Sequence, residues 1–197
     1  MKKTTVTRQT NETDISLTLY CESTGKTAIQ TSLPLFDHFL EAAAFTGGFD
    51  LVLSVRGDLE RDDHHTIEDT GIVLGQAVRK LAEACSPVRR YAHTILPMDE
   101  ALIRTALDLS GRSYLGYGLS PVRHRLGGIS TENIREFFYG FCRESRSTLH
   151  IDQLKGENDH HICEAAFKSF GRVLKEALTP VYGRSTDSTK DFTGDKR

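Results

Sequence analysis

The stretches "GDLERDDHHTIEDTGIVLGQA" (57–77) and "GENDHHICEAAFKSFG" (156–171) carry the same ordered residues. Placing Asp63-His64-His65 on Asp159-His160-His161 also places Glu68 on Glu164 and Gly75 on Gly171. Gly57 then matches Gly156 after a three-residue difference in loop length. Each stretch follows an apolar run of strand character, "FDLVLSV" (49–55) or "STLHIDQL" (147–154), and opens a helical pattern. The first helix is expected over about 64–84, with Ile67, Leu74, Val78 and Leu81 as its apolar stripe, and the second over about 160–178. A strand, a loop and a helix therefore recur, with the polar motif at the helix start.

Outward from these motifs, the order of elements repeats as well. "TDISLTLYC" (13–21) alternates Ile15, Leu17 and Leu19 as a half-buried strand does, "ESTGKT" (22–27) is a turn, and "TAIQTSL" (27–33) reads as a return strand. A helix over about 35–45 buries Phe36, Phe39, Leu40 and Ala43 and ends at "TGG" (46–48). In the second half, "RYAHTILPM" (90–98), "ALIRTALDLS" (101–110) and "SYLGYGL" (113–119) read as strands, the last two joined around "SGR" (110–112). A helix over about 131–144 then offers Ile134, Phe137, Phe138 and Phe141 to a core. The expectation is one α/β (α+β) domain over residues 1–197, built from two half-domains at about 1–88 and 89–180, each a small sheet backed by helices. Two repeats are too few for a solenoid. The polar tail 181–197 reads as disordered on composition alone.

Composition limits the function. With 38% hydrophobic and 26% charged residues, the chain is of ordinary soluble globular type. A net charge of −2 provides no field to attract nucleic acid or an anionic membrane. The start "MKKTTVTRQTNETD" lacks the apolar stretch of a secretory signal, and no apolar run has membrane-spanning length. Cys21, Cys85, Cys142 and Cys163 are scattered without a C-x-x-C pair, as reduced thiols of a cytoplasmic protein would be.

The repeated motif points to metal. On a helix His64 and Glu68 share a face one turn apart, so an imidazole and a carboxylate can reach one divalent cation. His65 is rotated by roughly 100° from His64, which suits adjacent histidines to two different ions. His160, His161 and Glu164 repeat this arrangement. One such pair would more often cap a helix or lie in solvent, but its recurrence in matched positions favours a pseudo-symmetric pair of sites that mix ligands from both halves. Nitrogen and carboxylate donors without cysteine admit Mn, Fe, Zn or Ni. His38 in "LFDHFLE" (35–41) is a further donor candidate; aligning Phe39-Leu40 with Phe137-Phe138 sets Glu136 opposite it. His150 is an alternative donor, while His93 and His124 have no such counterpart.

With these residues assembled, the chain resembles the imidazoleglycerol-phosphate dehydratase family over nearly its whole length. The resemblance is carried by the two motif stretches, with the second running on to Leu178, and by "RQTNETDISLTL" (8–19), "LFDHFL" (35–40), "PMDEAL" (97–102), "LDLSGRSYL" (107–115), "EFF" (136–138), "TLHI" (148–151) and "STK" (188–190). No phosphatase segment accompanies the unit, so a single-function form is expected. The resemblance implies dehydration of imidazole glycerol phosphate to imidazole acetol phosphate in histidine biosynthesis, through a metal-bound imidazolate, with two Mn²⁺ per active site. It further implies a roughly 24-subunit homo-oligomer built from trimers, with metals at subunit contacts. One metal would take His64, Glu68, His161 and Glu136; the other would take His38, His65, His160 and Glu164. Many family members carry histidine where Glu136 stands, although manganese accepts a carboxylate readily. Glu12 is implied as the acid/base acting on the substrate's carbon-bound proton, and Lys168, one turn past Glu164, as a residue of the same site. Arg90, Arg112, Ser188 and Lys190 are implied to hold phosphate, which the sequence alone would leave as surface residues. That role reverses the compositional reading of the tail, which is expected to order around substrate.

Overall fold

A computed structural model of the chain describes residues 2–85 and 87–181. The first half supplies β1 (Lys3–Gln9), β2 (Thr13–Tyr20), β3 (Ala28–Gln30), α1 (Pro34–Gly47), β4 (Asp50–Gly57) and α2 (His64–Cys85). The second supplies β5 (Tyr91–Met98), β6 (Ala101–Asp108), β7 (Tyr114–Gly118), a small hairpin of β8 (Arg125–Leu126) and β9 (Ile129–Ser130), α3 (Thr131–Ser145), β10 (Thr148–Lys155) and α4 (Asp159–Ala177). The sheets are ordered β1-β2-β4-β3 and β5-β6-β10-β7, so the duplication read from the motifs extends to topology. The second half differs mainly by the β8–β9 insertion ahead of its first helix.

Alternation places Ile15, Leu17 and Leu19 of β2, and Leu149 and Ile151 of β10, on the buried faces of their sheets. Helices cover those faces: α2 lies on β1 and β2, and α4 on β5 and β6. The helices then pair across the repeats, α1 with α4 and α2 with α3, giving a sheet–helix–helix–sheet stack. Between them sits an aromatic core of Phe36, Phe39, Phe137, Phe138, Phe141, Phe167 and Phe170, all fully buried. Edge-to-face pairs such as Phe141–Phe170, with centroids 4.8 Å apart, add to the area term.

Glycines set the separation of the paired helices. A Cβ at Gly171 would lie 2.0 Å from the Ala43 carbonyl oxygen of α1, and one at Gly75 would lie 2.5 Å from the Phe141 carbonyl oxygen of α3. The two glycines matched by the repeat thus perform one job, close approach of a cross-repeat helix. Their contacts advance in step along both helices, so each pair runs in one direction and brings its helix starts together.

Two strand expectations change. β3 is three residues long and pairs in parallel with β4 instead of returning on β2, because β4 already occupies that edge. The turn before β3 folds over buried Asp50, whose carboxylate accepts hydrogen bonds from Thr24 N (2.7 Å), Lys26 N (3.1 Å) and Ser23 Oγ (3.0 Å). Likewise β7 follows β6 in sequence but pairs with β10, not with β6. All four cysteines are free thiols, and burial pushes Cys142 and Cys163 up to about 12. Among the described residues no helix is long and apolar enough to cross a membrane.

Candidate metal centre

The starts of α1 and α4 meet at His38, His160 and Glu164. His38 Nε2 lies 3.3 Å and His160 Nε2 3.1 Å from Glu164 Oε2. The two imidazoles stack at 5.7 Å and 21°, and one ligand atom from each residue falls within 4.8 Å of the others. Lys168 Nζ holds the other carboxylate oxygen at 2.7 Å. Burial pushes the Glu164 carboxyl up, yet Lys168 and His38 outweigh it and leave the group lowered, hence ionised at neutral pH. Two imidazole nitrogens and one carboxylate aimed at a common point form a donor set that fits a divalent transition metal. The first repeat gives His38 and the second gives His160 and Glu164.

The equivalent place between α2 and α3 is less complete. His64 Nε2 lies 3.4 Å from Glu68 Oε2, while His64 Nδ1 meets Asn133 Oδ1 at 3.0 Å. Glu136 is drawn to its neighbour Arg135 at 2.7 Å, and Arg143 approaches Glu68 at 3.6 Å. Among the described residues only His38, His160 and Glu164 form a group of three converging donors. Arginines on α3 compete for the carboxylates here; α1 carries none. His150 is exposed on the solvent side of β10, opposite the face that buries Leu149 and Ile151, and so lies away from the helix starts.

The second histidine of each motif turns away from the first. The ring planes of His64 and His65 lie at 82°, and those of His160 and His161 at 78°, and the two rings of each pair meet different carboxylates. His65 Nδ1 is 3.0 Å from Asp58 Oδ1, and its Nε2 is 3.6 Å from Glu12 Oε1. His161 Nδ1 is 2.7 Å from Glu100 Oε2, and its Nε2 is 3.8 Å from Asp99 Oδ2. Hydrogen bonding to these carboxylates raises both imidazoles; it lowers Asp58, and it takes Glu100 down to about 2. A carboxylate on Nδ1 keeps the proton there and leaves Nε2 as the donor atom, the arrangement that serves metal ligation.

This architecture has close relatives. The family model for imidazoleglycerol-phosphate dehydratase matches residues 31–174. The chain belongs to the imidazoleglycerol-phosphate dehydratase family. It is 49% identical to the imidazoleglycerol-phosphate dehydratase of Caldicellulosiruptor bescii over 183 residues, covering 93% of this chain and 94% of that one. The Bordetella pertussis enzyme of the same name is 44% identical, with coverage of 96% and 98%. Among solved structures, the Staphylococcus aureus dehydratase superimposes with a TM-score of 0.83 at 33% identity, covering 91% of this chain and all of that one. The Pyrococcus furiosus dehydratase, in complex with (S)-C348, gives 0.82 at 37% identity, covering 94% and 99%. The chain is accordingly a hydro-lyase.

In this dehydratase, Glu12 sits at the tip between β1 and β2, and its carboxylate meets only His65 among the described residues. Arg90 is not the surface residue expected from sequence. It is 8% exposed, with φ of 71°, and its Nε donates to Asp108 Oδ1 at 2.7 Å. Arg112 is exposed in the loop after β6. Both arginines lie at the end of the sheet opposite to Glu100. The eight residues of β5 separate those ends by roughly 23 Å at ~3.3 Å per residue. Ser188 and Lys190 lie outside the described residues. Sequence reasoning did not find Asp58, Glu100 or Asn133, the partners of the histidine Nδ1 atoms. It also left the Asp of each D-H-H without a role: Asp63 accepts from Ser130 N at 2.6 Å, and Asp159 accepts from Arg123 N at 2.8 Å. Their recurrence in both motifs was the available signal.

Proposed function

We propose that this hydro-lyase dehydrates D-erythro-imidazole glycerol phosphate to imidazole acetol phosphate in the cytoplasm, as a step of histidine biosynthesis, with two Mn²⁺ per active site. The convergence of His38, His160 and Glu164 from opposite repeats is the observation that carries this reading. One ion would be held by those three residues with His65, and the other by His64, Glu68, Glu136 and His161. Because His65 and His161 point away from their neighbouring histidines, each set would be completed by another copy of the chain, in a homo-oligomer of 24 subunits built from trimers. When bound, the ions supply Lewis acidity that stabilises negative charge building on the substrate's imidazole ring.

The chain's own residues do the rest. Glu12, half-exposed beside His65, takes the carbon-bound proton. Lys168, held at the metal end by Glu164, orients and protonates the departing hydroxyl side of the substrate. Arg112, Ser188 and Lys190 would give charge and hydrogen bonds to the phosphate, together with Arg90, whose guanidinium Asp108 holds. Arg90 and Arg112 stand far from their own chain's metal end, which suits a phosphate pocket formed with a neighbouring copy.

The test uses purified full-length protein with imidazole glycerol phosphate. Mn²⁺ should support product formation, and chelation should abolish it together with the large assembly seen by size-exclusion chromatography. No turnover by metal-replete protein, with Glu12→Gln indistinguishable from wild type, would sink the reading.

A further inference from the structure

The duplicated halves put one glutamate at the same place twice. Glu12 immediately precedes β2, where Thr13 pairs with Gly57; Glu100 immediately precedes β6, where Ala101 lies against Gly156. Gly57 and Gly156 are themselves equivalent by the repeat. Yet the two carboxylates have diverged in their contacts. Glu100 Oε1 accepts from Asn158 N at 2.8 Å and Glu157 N at 3.3 Å, and Oε2 meets His161 Nδ1 at 2.7 Å. Glu12 makes no such bonds among the described residues, because Asp58, on the loop after β4, grips His65 Nδ1 in its place.

We infer that Glu100 is the positioning residue of His161, fixing the tautomer that leaves Nε2 for metal, and that Asp58 holds the same post for His65 so that Glu12 is left to substrate. The inference rests on the reading above that His161 ligates metal. Each oxygen of Glu100 has a fixed demand: one faces two backbone N–H donors that cannot change, and the other faces Nδ1–H. Glu100→Gln keeps shape and helix start but has only one acceptor oxygen. With that oxygen on the two N–H groups, the amide NH₂ faces Nδ1 and turns it into an acceptor. The ring proton then sits on Nε2, 3.8 Å from Asp99 Oδ2, and the donor atom is lost. Asp58 has no backbone N–H of another residue to satisfy, so Asp58→Asn can turn its carbonyl oxygen to His65 and should be milder.

The experiment titrates Mn²⁺ into full-length wild type, E100Q, E100A, D58N and H161A, following the free-ion EPR signal, with melting of each metal-free protein in parallel. E100Q should melt like wild type without metal but bind one of its ions roughly 10–100-fold more weakly. E100A should lose both melting temperature and affinity, and D58N should fall between wild type and E100Q. If H161A binds weakly while E100Q binds like wild type, Glu100 is only a helix-start anchor and the inference is overturned with the ligand reading intact. H161A binding like wild type would overturn both.

Discussion

Gly171→Ala tests whether helix spacing sets the metal centre. The added Cβ would stand 2.0 Å from Ala43 O, against an ordinary contact of 3.4 Å, so α1 must retreat by about 1.4 Å. Neither atom can swing aside, since the Cβ is fixed by its own backbone and the carbonyl oxygen belongs to the helix backbone of α1. His38 lies on α1 five residues before Ala43, and Glu164 lies two turns before Gly171, so the displacement opens the triad. Metal–ligand distances tolerate about 0.2 Å, far less than the opening. Overpacking of this kind costs about 1–3 kcal/mol, or a fall in melting temperature of roughly 2–12 °C for a chain this size. Metal-free protein can relax by letting α1 move, but Mn²⁺ binding must close the gap again. Affinity should therefore drop by the part of that cost which the metal-free protein escapes by relaxing, at most roughly 150-fold, and the remainder lowers the melting temperature of the metal-free protein. Gly75→Ala requires a smaller retreat of about 0.9 Å, from 2.5 to 3.4 Å, and should lower the melting temperature less. Calorimetric Mn²⁺ titration and thermal melts read both effects. Wild-type affinity and melting in Gly171→Ala would refute the claim that this contact holds the triad closed.

Glu136→His removes the Arg135 ion pair and restores the symmetry of the two donor sets; two unequal Mn²⁺ binding steps by calorimetry should merge toward one. Glu12→Gln should reduce turnover by roughly 10²–10⁴-fold with Mn²⁺ binding unchanged, as measured by steady-state kinetics beside EPR titration. Asp50, opposed by burial but held by the hydrogen bonds of the Ser23–Thr27 turn, has its carboxyl well below the ordinary range. Because the folded value is depressed, its stabilisation is present above the unfolded value of about 3.9 and is lost as pH falls through the folded value. Urea unfolding should show wild type well above Asp50→Asn at neutral pH, with the gap narrowing below pH ~4.

The helices were legible because each must bury one stripe, and Phe36, Phe39, Phe137 and Phe138 declare theirs at helical spacing. β1 was not, since as an outer strand it buries only Val6 and shows no alternation of apolar residues. His38 was marked as a donor through the repeat, by the match of Phe39-Leu40 to Phe137-Phe138, but its grouping with His160 and Glu164 was implied only by the family resemblance. The carboxylate partners were hidden for a different reason. Asp58 and Glu100 sit on turns, and their proximity to His65 and His161 depends on strand register and helix entry, neither of which leaves a local pattern. The burial of Arg90 was not legible because it comes from a backbone turn and the partner Asp108, eighteen residues away.

The cross-repeat pairing of helices explains why the duplication had to be read as a whole. α1 pairs with α4 and α2 with α3, and among the described residues neither half holds a group of three converging donors of its own; each helix start contributes a pair that the other half extends. Once two equivalent places exist, they are free to diverge. One now gathers two imidazoles and a carboxylate, while the other, with Glu136 opposite His38, offers one imidazole and two carboxylates beside two arginines. The same freedom separates Glu12 from Glu100. In the second half the hairpin-tip glutamate is consumed in holding a helix start and a ring; in the first, Asp58 takes over Nδ1 of the ring, and the Glu12 carboxylate is left half-exposed, 3.6 Å from His65 Nε2. On the proposal that Glu12 transfers a proton, the duplicated fold leaves its carboxylate clear of the histidine Nδ1 without disturbing the histidines.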